Sequence, residues 1–192
     1  MTNTKKVIGH FGNGPAFTIS DLRVFLKGIT PRYLNLLIHN LISKHGLKRI
    51  VKGVYTFKEE MQVVGFGFTP FYYGLQDALS LRGLWEQETN PVVITPRKMR
   101  SGIRHFIGGN YLVRRISRRM FFGFEMIKYY DFWIPVSDNE KTLIDLIYFK
   151  EPVPGELFQN INKKKLRIYL KGCPRRVARM VDKRMERMKM RL

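Results

Sequence analysis

The sequence predicts an α+β chain, and three observations carry that class. Apolar residues recur at helical spacing in residues 22–42 and again in 143–147. Between them, the run Val92–Thr95 is β-branched, and residues 103–134 are rich in Phe, Tyr, Ile and Val with glycine punctuation, the composition of short strands. Beyond residue 162 helical spacing returns, now crowded with Lys and Arg. An apolar fraction of 44% and 14 Phe give the 192 residues material for one large domain or two small ones, and argue against wholesale disorder.

The first elements read as two capped helices and a hairpin. Ser20 is the expected N-cap of the first, because its hydroxyl accepts a bond from an orphan N–H of the first turn. Leu22, Phe25 and Leu26 share one face, and Gly28 ends the helix at low conformational cost. Thr30 caps the next helix, with Pro31 at its first position, where a missing N–H costs nothing. That helix is expected over residues 32–45, with Gly46 ending it. Its apolar stripe is Leu34, Leu37, Ile38, Leu41 and Ile42. Residues 47–51 and 54–57 come next as strands joined at Lys52-Gly53, a tight hairpin. Short helix, turn, longer helix, basic hairpin is the order of a winged helix-turn-helix, assigned to residues 1–58.

At ~100° per residue, Arg32, Asn35, Leu36, His39 and Ser43 point away from the stripe. Their chemistry suits a major groove. Arginine forks onto guanine, asparagine onto adenine, and Leu36 offers an apolar contact for a thymine methyl. His39 and Ser43 reach bases or phosphates, and Lys48, Arg49 and Lys52 supply cations for the backbone. An ordinary surface helix also shows solvent a mixed face. The caps, the hairpin and the surrounding charge favour double-stranded DNA as the partner.

A second domain is expected over residues 69–162, with a mainly antiparallel sheet. Pro70 precedes a helix over 71–81, with Tyr72, Leu75, Ala78 and Leu79 inside and Arg82-Gly83 closing it. Strands are expected at 92–95, 104–107, 111–116, 120–122 and 127–134, with Gly108-Gly109 as a hairpin turn. Ser137 or Asp138 caps a core helix over 140–149. Residues 163–192 form a basic helical C-terminal segment of one or two helices, with Pro174 in the first turn of the last. Val177, Met180, Val181, Met185, Met188 and Leu192 line one side of it. Packing of that stripe on the second domain, with the charges on phosphates, competes with an anionic membrane surface or a partner groove.

The net charge of +20 is unevenly spread. Residues 1–58 carry +9, 97–119 carry +8 and 163–192 carry +11, while 59–96 and 120–162 carry −4 each. A field of this size favours a polyanion, because neutralising phosphates releases condensed counterions. Arg97, Lys98, Arg100, Arg114, Arg115, Arg118 and Arg119 in the middle block are candidate phosphate or partner contacts, as are Arg175, Arg176 and Arg179 in the last.

Several classes recede. No apolar run approaches the ~20 residues of a membrane span, so no membrane association is expected. Gly and Asn interrupt the stretch after Lys5 and Lys6, unlike a signal peptide, and the expected location is the cytoplasm. One cysteine, Cys173, excludes an internal disulfide framework and a Cys-based zinc site, although Lys171, Arg175 and Arg176 are placed to lower its pKa. His10, His39, His45 and His105 are scattered without metal spacing. Gly12-Asn13-Gly14 and Gly65-Phe66-Gly67 lack the setting of a dinucleotide loop, so no cofactor, metal or enzymatic activity is expected. The enzyme alternative is a nuclease-like second domain with Glu125, Asp131, Glu140 and Lys141 around Mg²⁺. A further alternative is a protein-interaction module docking through the basic C-terminal helix. Lys141 and Asp145, at i and i+4, are read as a structural pair.

An ordered set of short motifs resembles the AbiEi-type antitoxin family of abortive-infection and related toxin–antitoxin systems. They are Gly53-Val54-Tyr55, then Tyr72-Tyr73-Gly74-Leu75-Gln76-Asp77-Ala78-Leu79, Arg82-Gly83-Leu84 and Val93-Ile94-Thr95. Met120-Phe121-Phe122-Gly123-Phe124-Glu125 and Glu140-Lys141-Thr142-Leu143-Ile144-Asp145 complete the set, which covers roughly residues 5–149. The resemblance implies a two-part antitoxin. Its winged helix would bind the operator of its own operon, often at inverted repeats. Its second domain would counter a nucleotidyltransferase-like toxin, directly or indirectly.

Overall fold

The computed structural model describes residues 2–87 and 89–187. It is mixed α+β and divides into two compact units. Met1–Thr69, grouped with Phe106–Gly108, form the first; Pro70–His105 and Gly109–Leu192 form the second.

The first unit runs α1 (Asn3–Phe11), β1 (Phe17–Thr18), α2 (Ile19–Phe25), α3 (Pro31–Lys44), β2 (Lys48–Val51) and β3 (Val54–Thr56). A 3-10 segment, Met61–Phe68, comes after β3. The strands form an antiparallel sheet in the order β1-β3-β2, with Phe17 opposite Tyr55 and Lys48 opposite Thr56. Two of these elements, α1 and β1, were not expected. Val7, Phe17, Leu22, Leu34, Leu37, Ile38, Leu41, Leu47 and Tyr55 make one apolar core. The cap of α2 is Thr18, not Ser20. Its hydroxyl accepts from Asp21 N at 3.1 Å, and the Asp21 carboxylate accepts from Thr18 N at 2.7 Å. That reciprocal box satisfies two orphan donors where Ser20 would satisfy one, so the helix starts two residues early. Thr30 caps α3 through Tyr33 N as expected, with Pro31 at its start. Ile42 leaves the apolar stripe and is 44% exposed. Gly53, at φ +84°, makes the tight return from β2 to β3.

The second unit holds β4 (Tyr72–Tyr73), α4 (Leu75–Leu81), β5 (Val92–Thr95), β6 (Gly102–Phe106), β7 (Gly109–Arg115), β8 (Phe124–Tyr129) and β9 (Phe132–Ser137). Four helices complete it: α5 (Asn139–Phe149), α6 (Gly155–Gln159), α7 (Lys163–Gly172) and α8 (Arg175–Arg187). The sheet order is β6-β7-β5-β4-β9-β8. Pairs β4–β5 and β8–β9 are antiparallel, as expected, whereas β5–β7 and β4–β9 are parallel, so the sheet is mostly antiparallel with two parallel pairings.

Three expected elements differ. Tyr72 and Tyr73 leave the expected 71–81 helix and pair with Ile94 and Val93 as a central strand, where aromatic rings pack well on the pleat. The expected strand at 120–122 is instead the end of a 3-10 turn, Arg118–Met120, and irregular chain. The expected strand at 127–134 is a hairpin that reverses at Tyr130-Asp131, with Tyr130 at φ +49°. The β6–β7 turn falls at Ile107-Gly108, one residue before the expected Gly108-Gly109. Both turn residues have φ above zero, as a tight two-residue hairpin requires.

The core of this unit runs from Tyr72, Leu75 and Ile94 through Leu143, Ile144 and Leu146 to Leu166, Leu170, Val177, Val181 and Met185. The basic helices α7 and α8 thus bury their aliphatic faces in the same core as the sheet. Met188 and Leu192, expected on that stripe, lie outside the described residues. Among the described residues no helix is long and apolar enough to cross a membrane.

Candidate nucleic-acid interface

Amphipathic spacing positions the first candidate surface. Leu34, Leu37, Ile38 and Leu41 turn α3 inward, and Arg32, Asn35, Leu36, His39 and Ser43 are all exposed on the other side. Leu36 is 63% exposed, which an isolated aliphatic residue tolerates but does not favour. Leu36, His39, Asn40 and Ser43 line a shallow cleft of about 450 Å³ with Thr4 and Tyr33. The Ser43 hydroxyl donates back to Asn40 O at 3.3 Å, so it reaches a ligand only as an acceptor or after rotating.

The hairpin cations are not equivalent. Arg49 and Lys52 are exposed. Lys48 is half-buried, with its ammonium on Glu59 at 3.0 Å. Sequence spacing gave no hint of this pair, because the acid stands eleven residues away.

The middle basic block splits in the same way. Arg97, Lys98, Arg100, Arg115, Arg118 and Arg119 are exposed. Arg114 pairs with Glu151 at 2.7 Å and lies over the Phe149 ring. Arg119 donates to the carbonyls of Gly172 and Cys173 at 3.0 and 3.3 Å, which caps the C-terminal end of α7. Arg114 and Arg119 are therefore occupied by structure. In the last block Arg175, Arg176 and Arg179 are exposed, and so are Lys164, Arg167, Lys171, Lys183 and Arg187. These last five were not singled out by sequence, although their helical spacing was readable.

A part-buried polar knot fixes α7 against α5. Asp138 caps α5 by accepting from Lys141 N at 2.8 Å. Its other oxygen accepts from the Tyr169 hydroxyl at 2.6 Å and the Lys165 ammonium at 3.0 Å. Glu140 accepts from Asn162 N at 2.7 Å and faces Lys165 at 3.4 Å. Burial pulls the Lys165 ammonium down, but the bond and charge of Asp138, with Glu140 behind it, push its pKa to about 12. Burial and then the bond to Asp138 raise the Tyr169 hydroxyl to about 12 as well.

One turn deeper, Lys141 and Asp145 pair with both side chains fully buried, and Tyr72 donates its hydroxyl to Asp145 at 2.8 Å. The Lys141 ammonium also sits 5.2 Å from the Tyr72 and Phe122 ring centroids. Burial outweighs the attraction of Lys141 and holds the Asp145 carboxyl above its ordinary range. A Cβ on Gly123 would fall 2.8 Å from Lys141 Cβ, and its φ of +72° suits glycine alone, so glycine lets this strap close over the pair.

Three of the residues weighed for a Mg²⁺ nuclease are engaged elsewhere. Glu125 pairs with Arg82 at 2.8 Å, Glu140 serves α7, and Lys141 is sealed inside. Among the described residues no group of three His, Cys, Asp or Glu side chains is placed to hold a metal ion. Cys173 is buried, and burial raises its thiol pKa, against the lowering expected from its basic neighbours. No family model matches this chain, and no curated protein matches it.

Proposed function

We propose that this protein is a cytoplasmic DNA-binding regulator of the antitoxin type. It reads double-stranded operator DNA of its own operon through α3 and the β2–β3 hairpin. The observation that carries this reading is the exposed face of α3, where a guanidinium, an amide, an aliphatic chain, an imidazole and a hydroxyl succeed one another over Arg32, Asn35, Leu36, His39 and Ser43. Such variety discriminates among base edges in a major groove. The order α1–β1–α2–α3–β2–β3, with β1 pairing on β3, supports a winged helix-turn-helix reading of the first unit. Arg49 and Lys52, exposed on the hairpin, supply backbone contacts.

The antitoxin half of the proposal is supported by the resemblance of residues 5–149 to the AbiEi-type family. It assigns the second unit to countering a nucleotidyltransferase-like toxin, directly or indirectly. Two experiments test the reading. A gel-shift with the protein's own upstream DNA should show preference over a random duplex, and Arg32→Ala or Asn35→Ala should remove it. Equal loss on both duplexes would contradict a base-reading role for α3. Co-expression with a neighbouring nucleotidyltransferase-like gene should restore growth; failure to do so would remove the antitoxin assignment.

A further inference from the structure

Helices α7 and α8 carry eleven Lys and Arg against two acids, Asp182 and Glu186. Arg176, Arg179, Lys183 and Arg187 recur at i, i+3, i+7 and i+11 along α8, and all four are exposed. Lys164, Arg167 and Lys171 repeat the first part of that spacing on α7 and are exposed too. Each like-charged neighbour three or four residues away weakens the helix that carries it. Asp182 and Glu186, exposed at i+3 from Arg179 and Lys183, offset part of that repulsion, but Arg176–Arg179, Arg179–Lys183 and Lys183–Arg187 remain like-charged neighbours that a polyanion laid along the row would relieve.

Burial decides which polyanion. Over the described residues of α8, Val177, Val181 and Met185 are 4%, 0% and 1% exposed, and on α7 Ile168, at 66%, is a single exposed aliphatic residue, so neither helix presents an apolar face to enter a bilayer or fill a partner's groove. Tyr169, the aromatic residue of α7, is half-buried and bonded to Asp138, so these helices offer no stacking platform for unpaired bases. A backbone of closely spaced phosphates remains. The row from Arg176 to Arg187 is roughly 16 Å long at ~1.5 Å per residue, a length along which each strand of a duplex presents about five phosphates.

We propose that the exposed faces of α7 and α8 form a second, sequence-independent grip on the phosphate backbone of double-stranded DNA. This grip rests on the duplex-binding part of the proposed function but requires no operator preference from α3. The test is titration of the full-length protein with a random-sequence duplex over about 50–200 mM salt, comparing wild type with the combined variant Arg176→Gln, Arg179→Gln, Lys183→Gln. These side chains are exposed, so folding should survive, which an unchanged melting temperature within a few degrees would check.

The slope of log K against log salt should flatten by about 2.7, with roughly 10²-fold weaker binding near 0.15 M salt. The combined variant Arg176→Lys, Arg179→Lys should keep the wild-type slope. On operator DNA the glutamine variant should keep its preference over random duplex. An unchanged slope overturns the proposal. So does loss of binding to anionic phosphatidylserine vesicles with duplex binding intact, or wild-type affinity as high for single strands as for duplex. If wild type shows no operator preference yet the slope flattens, the reading of α3 fails and this grip stands.

Discussion

Helices α3 and α8 share a plan and differ in finish. Each buries an aliphatic stripe, Leu34, Leu37, Ile38 and Leu41 in one, Val177, Val181 and Met185 in the other. The outer face of α3 presents side chains of five kinds at Arg32, Asn35, Leu36, His39 and Ser43, whereas α8 repeats cations at Arg176, Arg179, Lys183 and Arg187, with the exposed acids Asp182 and Glu186 between them. Varied donors and acceptors distinguish one base pair from another; repeated cations respond only to charge. Reading requires variety and holding requires repetition. The charge of +20 conceals this difference in composition, because both helices contribute to it.

The contrast depends on α7 and α8 keeping their aliphatic faces in the core, so the largest effect comes from inside. Asp145→Ala would strand the Lys141 ammonium at 0% exposure against the Tyr72 and Phe122 rings. Breaking one partner of such a buried pair costs about 3–5 kcal/mol. Urea unfolding should report that loss in the second unit while operator preference at α3 is retained wherever the protein stays folded. Replacing both partners, Lys141→Met with Asp145→Leu, should recover part of it, since no charge is then left unpaired and only the Tyr72 hydroxyl loses its acceptor. Equal destabilisation by the single and double variants would show that the pair is not what matters at this position.

The next effect separates the two faces directly. Arg32→Ala and Asn35→Ala should each remove about 1–3 kcal/mol of preference for operator over random duplex, if each contact is bidentate. Arg179→Gln should leave that preference unchanged. Competition binding at one fixed salt concentration measures both. A loss of preference from Arg179→Gln would erase the distinction between reading and holding.

The Asp138 knot predicts a pH dependence. Lys165 and Tyr169 both titrate near 12 when folded, above ordinary values of 10.5 and 10.0. The folded state therefore binds their protons more tightly than the unfolded state. Their contribution is complete below pH 10 and is lost as pH rises toward 12. Tyr169→Phe should reduce the fall in melting temperature between those limits. An unaltered alkaline profile would mean that the knot does not hold α7 in place.

Much of the fold was legible where periodicity and capping agree. Strand β5 lies where the β-branched run Val92–Thr95 places it, and α3 differs from expectation by a residue at each end. Local pattern failed where tertiary pairing decided. Tyr72 and Tyr73 have helical neighbours, yet the sheet claims them through Ile94 and Val93. The short β1 exists only through its partner β3, and no local pattern announces a two-residue strand. On the candidate surface, residue types and exposure on α3 were readable from spacing. The occupation of Arg114, Arg119 and Lys48 was not, because Glu151, the end of α7 and Glu59 reach them from distant parts of the chain.

The smallest effect tests whether a hairpin cation holds phosphate in its free state. Lys52 is exposed at the turn, so Lys52→Ala should flatten the salt slope by about 0.9, the yield of one phosphate contact. Lys48 starts from a pair with Glu59, whose carboxylate is 83% exposed. Moving Lys48 onto a phosphate would require giving up that pair, so Lys48→Ala should change the slope by less than Lys52→Ala. Glu59→Gln supplies the control. It frees Lys48 and removes a negative charge beside the hairpin, so duplex affinity should rise slightly and a subsequent Lys48→Ala should act like Lys52→Ala. If Lys48→Ala already equals Lys52→Ala with Glu59 intact, the duplex outcompetes the carboxylate, and the pair seen in the free protein does not limit the hairpin's grip.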